Sequence, residues 1–211
     1  MNKSIRKEKS MFFKKANMIL AVAVLISISG HALAREFTPY ESPDKTFRCV
    51  VPAGWSIVES PSYSREVSGV DGFDAYRGGF EDRVTISIRY YPPGNKLHKD
   101  MDAYIRAYSQ PVLTVLEGQT YGPVKDLDFR GTKARTFERS GYDYESHVYN
   151  PKLDRYVEPL HPRKVEYRER FIVMPLKTGF AAFRFKAGPD TAGQYEDVFA
   201  RVADSFSFEV K

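Results

Sequence analysis

Apolar and polar residues alternate with a period of two through most of the chain, and two stretches switch to a helical period. Phe47, Cys49 and Val51 alternate with Arg48 and Val50, which predicts a strand, and Pro52-Ala53-Gly54 closes it with a turn signal. Residues 35–46 before it form an extended lead-in, and Trp55–Val58 after it form a second short extended piece. Residues 60–72 are rich in Ser, Gly and Pro and predict a loop. Phe73–Phe80 predicts a strand bent at its two glycines. Val84, Ile86, Ile88 and Tyr90 alternate with Thr85, Ser87 and Arg89, the clearest strand signal in the chain, and Pro92-Pro93-Gly94 ends it.

The first helical stretch is Asp100–Tyr108. Met101, Ile105 and Tyr108 share a face, Asp100 can accept from free backbone N–H groups at the start, and Pro111 breaks or kinks this helix. Val112–Leu116 fits a helical turn or a strand equally well. The second stretch places Tyr195, Val198, Phe199 and Val202 at i, i+3, i+4 and i+7. Thr191-Ala192-Gly193-Gln194 before it has the spacing of a capping box. Val124–Arg139 predicts a hairpin turning near Arg130-Gly131. Lys164–Met174 and Gly179–Lys186 predict two strands around Leu176–Thr178, with Ala181, Phe183 and Phe185 on one face. Phe206, Phe208 and Val210 predict a terminal strand. Residues 141–162 break the rhythm with a polar, tyrosine-rich, proline-punctuated excursion longer than most loops in compact domains. Strand groups interrupted by two main helices predict an α+β fold with a mostly antiparallel sheet and helices packed on it.

The first 34 residues stand apart. Six basic residues precede Ala16–Ser29, a nearly unbroken apolar run, and Ala32-Leu33-Ala34 offers a small-x-small cleavage site. This is the three-part layout of a secretory signal peptide cut after Ala34, with Met1 or Met11 as the start. The run is shorter than the about 20 residues that span a membrane, and no second long apolar run comes after it. The expectation is an exported protein, periplasmic or secreted, with no transmembrane span in the mature chain. The leader carries six of the 32 Lys and Arg residues and one of the 27 Asp and Glu residues. The remaining 26 of each sign leave residues 35–211 near neutrality, without the basic excess of a nucleic-acid binder. These residues are expected to form one domain.

Chemistry-bearing motifs are sparse. Cys49 is the one cysteine, so no internal disulfide forms. Its place on the Phe47/Val51 face predicts a core residue rather than a nucleophile, and Trp55 is likewise expected in the core. His98, His147 and His161 form no zinc spacing. Asp126-Leu127-Asp128 starts like a calcium loop, but Arg130 and a missing closing Glu break the pattern. A looser metal site from His147, Asp154, Glu158 and His161 stays open as an alternative. No nucleophile elbow, dinucleotide loop or phosphate loop is present. The excursion is the best candidate for a contact surface. Tyr142, Tyr144, Tyr149 and Tyr156 combine large area with a polar tip. His147, Asp154, Glu158 and His161 complete the candidate contact set.

Three places make the order of elements resemble the PsbP-like superfamily, which includes the extrinsic PsbP proteins of photosystem II and the bacterial periplasmic protein DcrB. They are Phe47–Trp55, the Val84–Tyr90 strand with the Met101–Tyr108 helix after it, and Thr178–Gly188 with the amphipathic helix and Asp204–Phe208 after it. The resemblance spans most of residues 37–210 and implies an αβα sandwich around an antiparallel sheet. It also implies a binding or assembly role without a shared catalytic site. The 141–162 excursion has no counterpart in that pattern. The resulting expectation is a soluble, exported, non-enzymatic module without a cofactor that binds an envelope protein through loops. The alternatives are a small-ligand or metal-binding carrier and, behind it, a secreted hydrolase.

Overall fold

A computed structural model of the chain describes residues 36–60, 66–111, 114, 118–144, 148–150, 155–157 and 162–209. The expected signal peptide and the unsettled Val112–Leu116 stretch fall outside these, except for Thr114. The described residues form these strands in chain order: β1 (Phe37–Glu41), β2 (Phe47–Pro52), β3 (Ser56–Glu59), β4 (Asp71–Arg77), β5 (Val84–Tyr91), β6 (Thr120–Tyr121), β7 (Lys125–Phe129), β8 (Thr132–Tyr144), β9 (Val148–Asn150), β10 (Arg155–Val157), β11 (Lys164–Pro175), β12 (Phe180–Ala187) and β13 (Ser207–Phe208). Helix α1 (Met101–Ser109) comes after β5, while the short α2 (Pro189–Ala192) and α3 (Glu196–Asp204) come after β12.

The main sheet has eight strands in the order β3-β4-β5-β12-β11-β8-β6, with β7 also pairing with β8. All its pairings are antiparallel. A second sheet, β1-β2-β13, joins the start of the unit to its end. The fold is therefore α+β with a mostly antiparallel sheet, as the alternation predicts.

β5 and β12 each have one face that is apolar along its length, and β4 and β11 add apolar residues to it. Phe73 and Ala75, Ile86 and Ile88, Phe183 and Phe185, and Ile172 pack with Phe47, Cys49 and Val51 of β2 and with Val198, Phe199 and Val202 of α3. Phe47, Phe73, Ile86, Ile88 and Phe183 are fully buried, each worth roughly 1.5–3 kcal/mol of transfer free energy. The opposite face is apolar only at one end, where Phe137, Phe171, Val173, Phe180 and Ala182 pack against Tyr104 and Ile105 of α1. Asp100 caps α1 by accepting from the Ala103 N–H at 2.7 Å.

Several expectations are corrected in detail. The lead-in is a paired strand, β1, because Phe37–Glu41 registers against Arg48–Pro52. The predicted 60–72 loop gives up Asp71 and Gly72 to β4. That strand stops at Arg77 rather than running on to Phe80, since the Asp82 carboxylate accepts from the Gly79 N–H at 2.7 Å and closes a turn there. The buried centre of α1 includes Tyr104, while Met101 and Tyr108 flank it half-buried. Thr191 makes no capping box. Pro189, with φ preset for a first helical position, opens α2 early, so Thr191 lies inside that turn, and Tyr195 stands at the N-cap of α3 without a side-chain cap bond. The terminal strand is two residues long, and Val210 lies outside the described residues. At the β11–β12 turn the chain needs glycine: Gly179 has φ +73°, and a Cβ there would strike the Tyr91 carbonyl oxygen.

Candidate functional site

The face under α1 changes character along the same strands. On β12, Phe180 and Ala182 give way to Arg184 and Lys186. On β11, Val173 and Phe171 give way to Glu169 and Tyr167. On β8, Phe137 gives way to Arg139 and Asp143. The border is a buried ionic triad. Glu169 has a side chain with 0% exposure and accepts from Arg139 Nε on one side and from Arg184 on the other, the Arg184 Nε bond being 2.7 Å. Burial pulls the Arg184 guanidinium down, but the Glu169 charge and hydrogen bonds outweigh it and hold its pKa above the usual value.

Beyond the triad the sheet is open and polar. Arg89 pairs with Asp74 at 2.9 Å, and Lys186 pairs with Asp143 at 2.6 Å. Lys186 Nζ also lies 4.0 Å from the centre of the Tyr167 ring, a favourable cation–π placement. Gly141 makes room for that ring, since a Cβ there would sit 2.8 Å from the Tyr167 hydroxyl. Asp74, Tyr167, Arg184 and Lys186 help line a hollow of about 230 Å³ over this half of the sheet. Burial, with the nearby Glu169 charge, pushes the Tyr167 phenol above its ordinary pKa.

The predicted contact residues divide into three groups. Tyr142 and Tyr144 are not in a loop: β8 continues through Gly141–Tyr144, paired with Lys164–Tyr167 of β11. Tyr142 is half-buried, packed beside Gly118, with Lys164 Nζ 3.7 Å from its ring centre. Tyr144 is 57% exposed. Tyr149 and Tyr156 stand opposite each other in the β9–β10 hairpin. His147, Asp154, Glu158 and His161 lie outside the described residues, and so does the looser metal site they would form. Among the described residues no group of three or more His, Cys, Asp or Glu is placed to hold a metal ion. Asp126 and Asp128 belong to β7, where Asp126 pairs with Arg135 and Asp128 accepts from the Gly131 N–H.

Cys49 is buried, and burial pushes its thiol up to about 12, which keeps it protonated and unreactive at neutral pH. Trp55 is half-buried at the core's edge, its ring edge-on to Tyr195 at 5.8 Å. His98 is held against α1 by Asn95, whose Oδ1 accepts from the Leu97 and His98 N–H groups. Its ring meets Tyr91, Tyr104 and Tyr108 at 5.5, 5.0 and 5.7 Å. Burial lowers the His98 pKa below the ordinary imidazole value. A depressed folded-state pKa gives stability that is present above the unfolded value, about 6.5, and lost as pH falls through the folded one. The melting temperature should therefore fall between pH 7.5 and pH 5 in part through His98. His98→Gln should reduce that fall, and an unchanged pH profile in the variant would remove His98 as a contributor.

The triad was not visible in the sequence. Arg168, Glu169 and Arg170 lie within the predicted Lys164–Met174 strand, and only the register brings Arg139 and Arg184 to Glu169.

No family model and no curated protein matches the chain. Among solved structures it is similar to the solution structure of cyanobacterial PsbP (CyanoP) from Synechocystis sp. PCC 6803, at TM-score 0.47 and 16% identity over 86% of this chain and 96% of that one. It is also similar to LpqN, involved in cell envelope biogenesis of Mycobacterium tuberculosis, at TM-score 0.42 and 12% identity over 83% and 91% of the two chains. A third similar structure, from Bacteroides thetaiotaomicron VPI-5482, has TM-score 0.39 and 10% identity over 82% of this chain and 48% of that one.

Proposed function

We propose that this chain is an exported, non-enzymatic binding or assembly module of the cell envelope, and that it contacts a partner protein through the far end of β8 and β11 and the adjoining β9–β10 hairpin. The observation that carries the reading is the aromatic presentation on this strand pair. Tyr144 is exposed, Tyr142 lies under Lys164 on one face, and Tyr167 lies under Lys186 on the other. Large rings with polar tips flanked by cations are the chemistry of protein interfaces. Tyr149 and Tyr156, with His147, Asp154, Glu158 and His161, belong to the same proposed surface from their place in the sequence. The signal-like first 34 residues support export, and no described helix is long and apolar enough to cross a membrane.

Size weighs against a small-ligand carrier. The hollows against the sheet are about 200–230 Å³, below the roughly 300–1,000 Å³ of most small-molecule sites. A wider hollow of about 440 Å³ near Pro189 is shallow and open. The inert thiol of Cys49 removes the one cysteine nucleophile a hydrolase would have.

In-cell photo-crosslinking tests the reading, with the crosslinker at Tyr144 and a control at Val58, which is 51% exposed on β3 at the opposite edge of the sheet. A discrete protein adduct from Tyr144 and none from Val58 is expected. Silence at Tyr144, or equal labelling at both, overturns the assignment of this end as the interface.

A further inference from the structure

We infer that the hollow between β8, β11 and the start of α3 is a carboxylate-binding site with Arg168 and Arg170 as its cations. The two arginines are two residues apart on β11, so their side chains leave the same face of the sheet. Arg170 stands opposite Glu138 and Arg168 opposite Ser140 on β8. Both line a hollow of about 200 Å³ together with Thr120, Glu138, Ser140 and Glu196. Arg170 also borders an adjoining hollow of about 220 Å³.

These arginines differ from their neighbours on the sheet. Arg89, Arg135, Arg139 and Arg184 each hold a carboxylate within ion-pair distance. Arg168 and Arg170 hold none among the described residues, although Glu138 lies directly across the strand from Arg170. Arg170 Nε is shut away from solvent and meets no protein acceptor. The shielded Nε is out of a ligand's reach, so a carboxylate in the hollow would be held end-on through the two Nη groups, with the Nε–H as a nearby reporter of that contact. The guanidinium fork matches a planar carboxylate, and the Thr120 and Ser140 hydroxyls, hydrogen-bonded to each other at 2.8 Å, leave one O–H in the same hollow as a further donor. Glu138 and Glu196 in the same hollow repel a dianion more than a monoanion. The site therefore favours a single carboxylate over phosphate.

The carboxylate comes either from an Asp or Glu side chain of a partner or from a free carboxylic acid. Tyr142 and Tyr144 occupy the next alternate positions of β8 beyond Ser140 on this same face, so a partner docked on them would reach the hollow. That first source rests on the proposed interface, but the site itself does not.

The test tracks the arginine Nε–H signals of the ¹⁵N-labelled full chain by NMR, with the Arg170 signal assigned from its loss in Arg170→Lys. The probes are sodium acetate and the peptide acetyl-Gly-Asp-Glu-Gly-amide, against sodium phosphate and sodium chloride at matched ionic strength. Both carboxylate probes should move the Arg170 signal at concentrations where phosphate and chloride leave it in place. The Arg139 and Arg184 signals, already bonded to Glu169, should stay fixed. Arg168→Gln, a change at an exposed side chain, should weaken the response at Arg170 and serves if Arg170→Lys does not fold. Binding of the peptide about tenfold or more tighter than acetate points to a protein side chain, and equal binding points to a free acid. No movement with either carboxylate, or equal movement with phosphate or chloride, overturns the site. Movement here with silence at Tyr144 in the crosslinking experiment would keep the site and discard the interface.

Discussion

Replacing Phe183 with alanine is expected to cost about 3–5 kcal/mol of unfolding free energy, the range for removing a fully buried aromatic ring. Phe183 sits on β12 between Ile88 of β5 and Ile172 of β11, with 0% exposure. Its ring meets Phe206 edge-on at 5.1 Å and Phe129 at 5.8 Å. Both flanking strands are fixed by ladder hydrogen bonds, so the surroundings cannot close over the space left behind, and the cavity penalty adds to the lost transfer energy. Urea denaturation of the wild type and the variant measures the difference. Val58→Ala, at an exposed edge position, should stay within about 0.5 kcal/mol. A loss below about 1 kcal/mol at Phe183 would mean that the sheet relaxes far more than its pairing implies.

The second large effect is expected at Glu169. Glu169→Gln leaves Arg139 and Arg184 facing each other without the carboxylate that holds both. Breaking a buried ion pair from one side costs about 3–5 kcal/mol. The lower end is expected, because the Arg139 and Arg184 side chains keep 21% and 34% of their exposure and can turn partly toward water. The triple change Arg139→Met, Glu169→Leu and Arg184→Leu should recover most of the loss, since apolar replacements of similar volume remove the desolvation cost of all three charges together. Denaturation midpoints of the single and triple variants separate the two cases. If the triple variant is no more stable than Glu169→Gln, the triad contributes packing or specificity that apolar side chains cannot replace.

The parts of the fold that were legible in the sequence are those where one face of an element is apolar throughout. Val84–Tyr90 alternates without interruption, and Ala181, Phe183 and Phe185 keep one apolar face, because that side of each strand lies in the large core, and Val198, Phe199 and Val202 mark α3 for the same reason. The continuation of β8 through Gly141–Tyr144 was not legible. Both faces of that end carry tyrosines and charges, so no apolar period survives, and only pairing with Lys164–Tyr167 makes it a strand. Tyr104 stands at i+3 from Met101, on the same face as Ile105 and Tyr108, so the helical period contained it although the predicted set left it out. Of the candidate contact residues, Tyr142 and Tyr144 were chosen from the sequence by residue type alone. The sequence held no sign of Lys164 over Tyr142 or Lys186 over Tyr167, which depend on register across strands.

The small β1-β2-β13 sheet has a kinetic consequence. Phe47 registers with Phe208, the Val50 N–H donates to the Ser205 hydroxyl, and the Glu209 N–H donates to the Thr46 carbonyl. One flank of the core is therefore closed by contacts across more than 150 residues of chain. Closing loops that long precedes any gain from the contacts they make, so assembly of this flank should be slow and late. During synthesis β2 can pair with β1 at once, but its other edge stays open until β13 has emerged from the ribosome. The last part of the chain to be made is thus the part that completes this flank, and truncation before Ser207 would leave the β2 edge unpaired.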